Sequence, residues 1–304
     1  MPYSTVDGHD PGHGASLGSR GSLDRALGRS RSTGRTGGPE IDLPPASERM
    51  THPETASSSL FSRLTGRARV VRPSRDVVVL HDVTKRYPNG RVALRDVDLV
   101  VPEGDFVFLV GPSGAGKSTL MKLLIRDELA TQGHVVVDGD DLAQLRRRAV
   151  PRVRRKIGIV FQDFKLLPRK TVWENVAFAL EVTGTPRSRI KPSVDRVLAL
   201  VGLTAQAGQG PTQLSGGEQQ RTAIARALVH DPRIIIADEP TGNLDPVISW
   251  ELIQLLLRIN ELGVTILMAT HDAEVVTALR KRVVALEEGR VIRDELGAAY
   301  HRED

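Results

Sequence analysis

Apolar residues along this chain gather in short runs separated by polar, glycine-rich or helix-spaced stretches. Phe106-Val107-Phe108-Leu109-Val110 is the clearest run. Five apolar residues without a polar position fit a strand covered on both faces. Residues 157–161, 234–237, 264–269 and 283–286 read the same way, and residues 77–80 and 94–101 read as two strands flanking a turn at Pro88-Asn89-Gly90. Helical spacing runs from Lys117 to about residue 126 and over 246–261. It also covers most of 172–230, with breaks at Gly184-Thr185-Pro186 and 208–211. Strands alternating with helices predict an α/β fold with a mainly parallel sheet covered on both sides. The pattern begins near Asp76, so a domain is expected over 76–304, with a helical insertion at about 166–230. No internal repeat is visible.

Residues 1–75 lack either periodicity. They are rich in Gly, Ser, Arg, Thr and Pro, as in Arg29-Ser30-Arg31-Ser32-Thr33-Gly34-Arg35. Such a segment buries too little apolar area to offset its ordering entropy, so disorder is expected. It holds 11 Arg and 7 Asp or Glu, a net of +4 against +5 for the whole chain, which leaves +1 for the rest. The overall basicity therefore argues little for nucleic-acid binding by the folded part, and no nucleic-acid partner is expected. The tail reads either as a solvated extension or as a tether to anionic lipid or a partner. A misassigned start, with translation from Val77, stays open beside these. The N-terminus has no signal-peptide core, and no run of about 18 apolar residues suggests a membrane span. Cysteine is absent, which excludes disulfides, thiol catalysis and Cys-based zinc sites.

Chemistry concentrates after the first buried strand. Gly111-Pro112-Ser113-Gly114-Ala115-Gly116-Lys117-Ser118 matches G-x-x-x-x-G-K-[ST], with a strand before it and a helix after. A triphosphate needs several converging N–H donors, and glycines let the backbone curve and approach. Lys117 is placed to reach the β- and γ-phosphates. Ser118 is placed to ligate Mg²⁺, with Thr119 beside it. Farther on, Ile234-Ile235-Ile236-Ala237 ends in Asp238-Glu239. Neighbouring residues on an extended strand point to opposite sides. Asp238 is thus the candidate for the metal shell and Glu239 for the general base.

Leu214-Ser215-Gly216-Gly217-Glu218-Gln219-Gln220 resembles the signature motif of the ABC (ATP-binding cassette) family. The resemblance covers about residues 76–295 and implies an ABC nucleotide-binding domain with an N-terminal antiparallel β part and a helical signature subdomain. It implies ATP and Mg²⁺ as cofactors, with two ATP molecules held in a head-to-tail homodimer. Ser215, Gly216 and Gly217 would then cap the γ-phosphate bound by the other subunit. Tyr87 stands where the family stacks an aromatic on adenine. Gln162 matches the loop that senses γ-phosphate and Mg²⁺ and touches the membrane partner. Asp245, in Gly242-Asn243-Leu244-Asp245, matches the loop at the dimer interface. His271 matches the switch histidine at the γ-phosphate.

Within the family, Tyr87-Pro88-Asn89-Gly90, Phe161-Gln162-Asp163-Phe164-Lys165-Leu166-Leu167-Pro168 and Asn243-Leu244-Asp245-Pro246 resemble the FtsE group of cell-division ATPases. That group pairs with the integral membrane protein FtsX, which implies a peripheral place on the cytoplasmic face of the bacterial membrane, divisome contacts and control of cell-wall hydrolysis. Lipoprotein-releasing and macrolide-export ATPases share the Leu-Leu-Pro and Gly-Asn-Leu-Asp elements but usually carry Asn where Lys165 stands here. DNA-repair cassettes carry a long coiled-coil insertion before the signature, and too few residues lie there in this chain. Translation cassettes usually come two to a chain, against one here. The basic cluster Arg146-Arg147-Arg148, Arg152 and Arg154-Arg155-Lys156 reads either as a solvated face or as a contact for anionic lipid or an acidic partner.

Overall fold

The structure, a computed structural model, describes residues 75–297. The extension expected to be disordered lies, but for Arg75, outside the described residues. Among the described residues, ten strands form two sheets. The larger has the order β10-β9-β3-β8-β7-β6, with β3 (Phe106–Val110), β6 (Ile157–Val160), β7 (Ile234–Asp238), β8 (Thr265–Ala269) and β9 (Arg282–Glu287) all parallel. β10 (Arg290–Glu295) closes one edge antiparallel to β9. The smaller sheet is antiparallel, in the order β2-β1-β4-β5, from β1 (Asp76–Arg86), β2 (Val92–Pro102), β4 (Gln132–Val137) and the two-residue β5 (Asp140–Asp141).

The unbroken apolar runs are explained by two cores, one on each face of the parallel sheet. Phe106, Phe108 and Val110 of β3 join one core, while Val107 and Leu109 join the other. β7 divides in the same way, Ile235 and Ala237 against Ile234 and Ile236. Each fully buried aliphatic side chain contributes about 1.5–3 kcal/mol, so a polar residue anywhere in these runs would be costly. The first core is roofed by α3 (Val172–Glu181), α4 (Arg187–Val201), α5 (Gly216–Leu228) and α6 (Pro246–Glu261). The second holds α1 (Lys117–Leu124) between the parallel sheet and the antiparallel one. Short helices α2 (Val150–Arg154) and α7 (Ala273–Leu279) complete the described chain.

Most boundaries follow the sequence pattern, and the differences have local causes. β1 runs on to Arg86 rather than stopping near 80. Its alternation is broken at His81-Asp82, where the β1–β2 register shifts and Asp82 takes φ 49°. Asp98 holds that bulge by accepting the Asp82 N–H at 3.1 Å, after which pairing resumes. α1 ends at Leu124, short of 126, because Arg126 turns to φ 55° and donates to the carbonyls of Leu142 and Leu145. β4, β10 and α7 escape the pattern, since each exposes much of its length.

Part of the basic cluster is internal structure. Arg154 donates to the carbonyls of Ile125 and Arg126 at 2.9 and 3.2 Å, satisfying acceptors at the end of α1. Lys156 pairs with Asp138 at 2.7 Å and Asp140 at 2.8 Å, and Arg152 with Asp140 at 2.8 Å. Arg146, Arg147 and Arg148 are exposed.

Helix α5 reaches the sheet through a glycine. A Cβ on Gly158 of β6 would stand 2.7 Å from the Ala227 carbonyl oxygen and 3.1 Å from its Cβ. Helix and strand backbones touch here and cannot yield as a side chain would. We expect Gly158→Val to destabilise the fold by about 1–3 kcal/mol, the usual range for overpacking. Urea denaturation checks this; an unchanged midpoint would show that the helix can lift off the sheet freely.

Candidate active site

The carboxyl ends of the parallel strands lie along one edge, and the candidate residues follow them. The order β3-β8-β7-β6 sets the P-loop, His271, Asp238-Glu239 and Gln162 side by side, although they are far apart in the chain. Tyr87, Gly111, Pro112, Ser113, Gly114, Gly116, Lys117, Ser118, Thr119, Asp238, Glu239 and His271 line one cleft of about 1330 Å³. That volume exceeds the roughly 300–1,000 Å³ of typical small-molecule sites, so the cleft has room for a nucleotide.

The P-loop is built for close backbone approach. Gly111 has φ 140°, and a Cβ there would fall 2.1 Å from the Leu286 carbonyl oxygen. Gly116 has φ 113° and caps α1 with no side-chain acceptor for the helix N–H groups. Those free N–H groups and the helix dipole make an anion site. Ala115 is buried beneath the loop and does not line the cleft. Lys117 Nζ donates to the carbonyls of Gly111 at 2.5 Å and Pro112 at 3.1 Å. Burial lowers its pKa, against the opposing charges of Glu239 and Asp238. A phosphate chain would offer it stronger, charged acceptors.

Asp238 sits half-buried beside this cation. Burial, reinforced by the Glu239 charge, raises its pKa, and Lys117 opposes the shift. Its carboxylate is thus in want of a cation. Ser118 and Asp238 supply hard oxygen ligands on the same cleft, which suits Mg²⁺. Among the described residues no three acidic or histidine side chains gather as a metal cage. Mg²⁺ held partly by substrate phosphates needs none.

Glu239 is the strained residue of the site. Its φ is 44°, left-handed for a side chain with a Cβ, a conformation costing on the order of 1–3 kcal/mol. Its N–H donates to the Ala269 carbonyl at 3.0 Å, and its own carbonyl accepts from Gly242 at 3.1 Å. Its Oε2 lies 3.1 Å from Nδ1 of the exposed His271. With the proton on Nδ1, the ring donates to the carboxylate and fixes its direction.

The remaining candidates fall outside the cleft. Gln162 turns to Asn243: its Nε2 donates to Asn243 Oδ1 at 3.4 Å, and Asn243 Nδ2 donates to the Gln162 carbonyl at 3.3 Å. Asp245 caps α6 by accepting the Ile248 N–H at 3.0 Å. Ser215 caps α5 in a reciprocal box with Glu218, accepting the Glu218 N–H at 3.3 Å. A Cβ on Gly217 would lie 2.5 Å from Ile248 Cγ2, so the signature glycine admits the start of α6. Ser215, Gly216 and Gly217 do not line the cleft.

Three residues that the sequence reading passed over support the site. Lys85, buried and paired with Glu128 at 2.7 Å, places its Nζ 5.0 Å from the centroid of the Tyr87 ring. Gln220 and Arg226 extend from α5 to the loops around Gln162 and Glu239. Gln220 stands within the quoted signature string; Lys85 and Arg226 have no signal short of the fold.

A parallel sheet with a P-loop, an acidic pair on a neighbouring strand and a signature-bearing helical layer defines an ATP-hydrolysing domain of the ABC type. The model of the ABC transporter family matches residues 94–242. The chain is 53% identical over 228 residues to the cell division ATP-binding protein FtsE of Streptococcus pneumoniae, covering 75% of this chain and 99% of that one. Identity to FtsE of Bacillus subtilis is also 53%, over 74% of this chain and 98% of the relative. The methionine import ATP-binding protein MetN of Leifsonia xyli is 47% identical over 72% of this chain and 64% of the relative. Among solved structures, the ATP-binding cassette MJ0796, dimeric and bound to ADP and Pi, superposes with a TM-score of 0.65 at 38% identity, covering 73% of this chain and all of that one. The chain belongs to the ABC transporter family of ATP-binding subunits, and it is an ATPase similar to FtsE.

Lys117→Ala is expected to weaken ATP binding at least tenfold, because the loop then faces the phosphates with N–H groups alone. Equilibrium titration with a fluorescent ATP analogue checks this. Unchanged affinity would remove Lys117 from the phosphate cradle.

Proposed function

We propose that this chain is the motor of an FtsEX-type cell-division complex, in which two copies close head to tail over two ATP molecules. The observation that carries the dimer is where the signature stands. Ser215, Gly216 and Gly217 head α5 outside the chain's own cleft. A glycine-headed helix start placed outside its own cleft fits the γ-phosphate of a second copy. The dimeric cassette bound to ADP and Pi supports the same reading.

In this reading the P-loop from Gly111 to Thr119 holds the phosphates and Tyr87 stacks on adenine. Ser118 and Asp238 would hold Mg²⁺, joined by Gln162 once its side chain turns from Asn243, and the metal would neutralise charge on the phosphate oxygens. Glu239, directed by His271, takes the proton of the attacking water as it adds to the γ-phosphorus, while the bond to the β–γ bridging oxygen breaks and ADP leaves with that oxygen. His271 and Lys117 stabilise the charge on the transferred group. Asp245 lies at the seam between subunits. Similarity to FtsE over nearly its full length supports an integral membrane partner like FtsX and a peripheral place on the cytoplasmic face of the membrane. No helix among the described residues is long and apolar enough to cross a membrane, so force would pass through that partner. Closing and reopening the dimer would then regulate septal peptidoglycan hydrolysis outside. Residues 1–75 form a separate extension in this proposal, joined to the ATPase domain of 76–304, whose helical part spans about 166–230.

A second reading, the ATPase of a transporter, is favoured by the 47% identity to MetN. A lipoprotein-releasing or macrolide-type exporter belongs to that reading. Affinity purification from detergent-solubilised membranes separates the two. Recovery of an FtsX-like protein is expected, whereas recovery of a large permease would sink the division role. For the chemistry, Glu239→Gln is expected to cut turnover by at least a hundredfold while trapping an ATP-bound dimer. Size-exclusion chromatography with and without ATP reads the dimer. Near wild-type turnover would overturn Glu239 as the base.

A further inference from the structure

We infer that Gln220 is a positioning residue for hydrolysis, tying the signature helix to the peptide after Glu239 and to the peptide before Gln162. The inference rests on the ATPase reading and extends it to a residue outside the cleft.

Gln220 is on α5, and its side chain is fully buried at 0% exposure. Its Nε2 donates to two carbonyls, Pro240 at 2.7 Å and Phe161 at 3.2 Å. One acceptor directly follows the base Glu239, and the other directly precedes Gln162. A single amide on α5 thus ties together the two loops that follow β6 and β7.

The contact matters because both loops are held in unfavourable backbone conformations. Glu239 has φ 44°, and Phe164 and Lys165, just beyond Gln162, have φ 57° and 49°. Such conformations persist only where the surroundings over-determine them. On the N-terminal side of Glu239 the N–H bond to Ala269 does so. On the C-terminal side, Gln220 supplies a fixed donor to the next carbonyl. Arg226, farther along the same helix, donates to the carbonyls of Phe164 and Lys165 and holds the second strained stretch. Two side chains of α5 therefore clamp two strained loops. α5 is also capped by Ser215, the residue proposed to meet the partner's nucleotide. Movement of the signature on dimer closure would reach Glu239 and Gln162 through Gln220 with no flexible segment between.

The test uses the full chain. Gln220→Met keeps the length and bulk but donates nothing. We expect kcat for ATP to fall by roughly ten- to a hundredfold, the cost of a misplaced reacting group. KM for ATP should stay within about threefold, because the phosphate cradle and Tyr87 are untouched. The nucleotide-free protein should still show a single cooperative unfolding transition. Gln220→Glu gives a second readout: only a protonated carboxyl can donate to the Pro240 carbonyl. Its kcat relative to wild type should therefore rise as pH falls, while Gln220→Met shows no such recovery. Wild-type kcat in Gln220→Met would overturn the inference. So would a rise in KM equal to the loss in kcat/KM, or a Gln220→Glu profile parallel to wild type. Wild-type protein without ATPase activity would instead contradict the ATPase reading itself, so the two failures are distinguishable.

Discussion

Strands in a parallel sheet all finish on the same edge, and the chemistry of this protein depends on that constraint. β3, β8, β7 and β6 are neighbours, and each releases its functional loop at its carboxyl end. A P-loop, a histidine, an acidic pair and a glutamine from four distant stretches of chain thus meet in one row. The sheet can impose this because both of its faces are buried. Alternate residues of each strand feed two separate cores, so no strand can slide by one residue without exposing or mispacking its entire length. Tight packing of the strands is what permits precise placement of the loops.

Polar contacts then distribute strain over this frame. Glu239 is left-handed, Gly111 and Gly116 have positive φ, and the stretch after Gln162 carries two more left-handed residues. The three non-glycine residues have compensating partners nearby: Ala269 and Gly242 around Glu239, and Arg226 over Phe164 and Lys165. Charges in the cleft follow the same economy. Glu239 lies close enough to act on Lys117 and Asp238, and burial pushes both of these towards their neutral forms. A bound anion and a cation would restore both charges, so the cleft is electrostatically suited to a metal–phosphate ligand.

The basic segment from 146 to 156 shows how like residues take different roles. Arg152, Arg154 and Lys156 hold α1, β5 and their own helix together through carbonyls and aspartates. The three arginines before them face solvent. Composition treats all of them as one cluster; only the placement of Asp138, Asp140 and the end of α1 divides them.

Much of the candidate site was legible in sequence because its parts are local. Strand, glycine loop, lysine and serine follow one another within 106–118, and the acidic pair ends its own apolar run, so backbone geometry alone dictates their proximity. The signature string carried the family for the same reason. The buried strands were legible from their unbroken apolar runs, whereas β4, β10 and α7, half-exposed, left no such mark. Tertiary structure decided what depends on partners distant in sequence. It set Glu239 against His271, turned Gln162 towards Asn243, and left Ser215 to Gly217 outside the cleft. It also brought Lys85 beneath Tyr87 and Gln220 between two loops. Nothing in the local pattern encodes these contacts, because each is fixed by which strands become neighbours in the sheet.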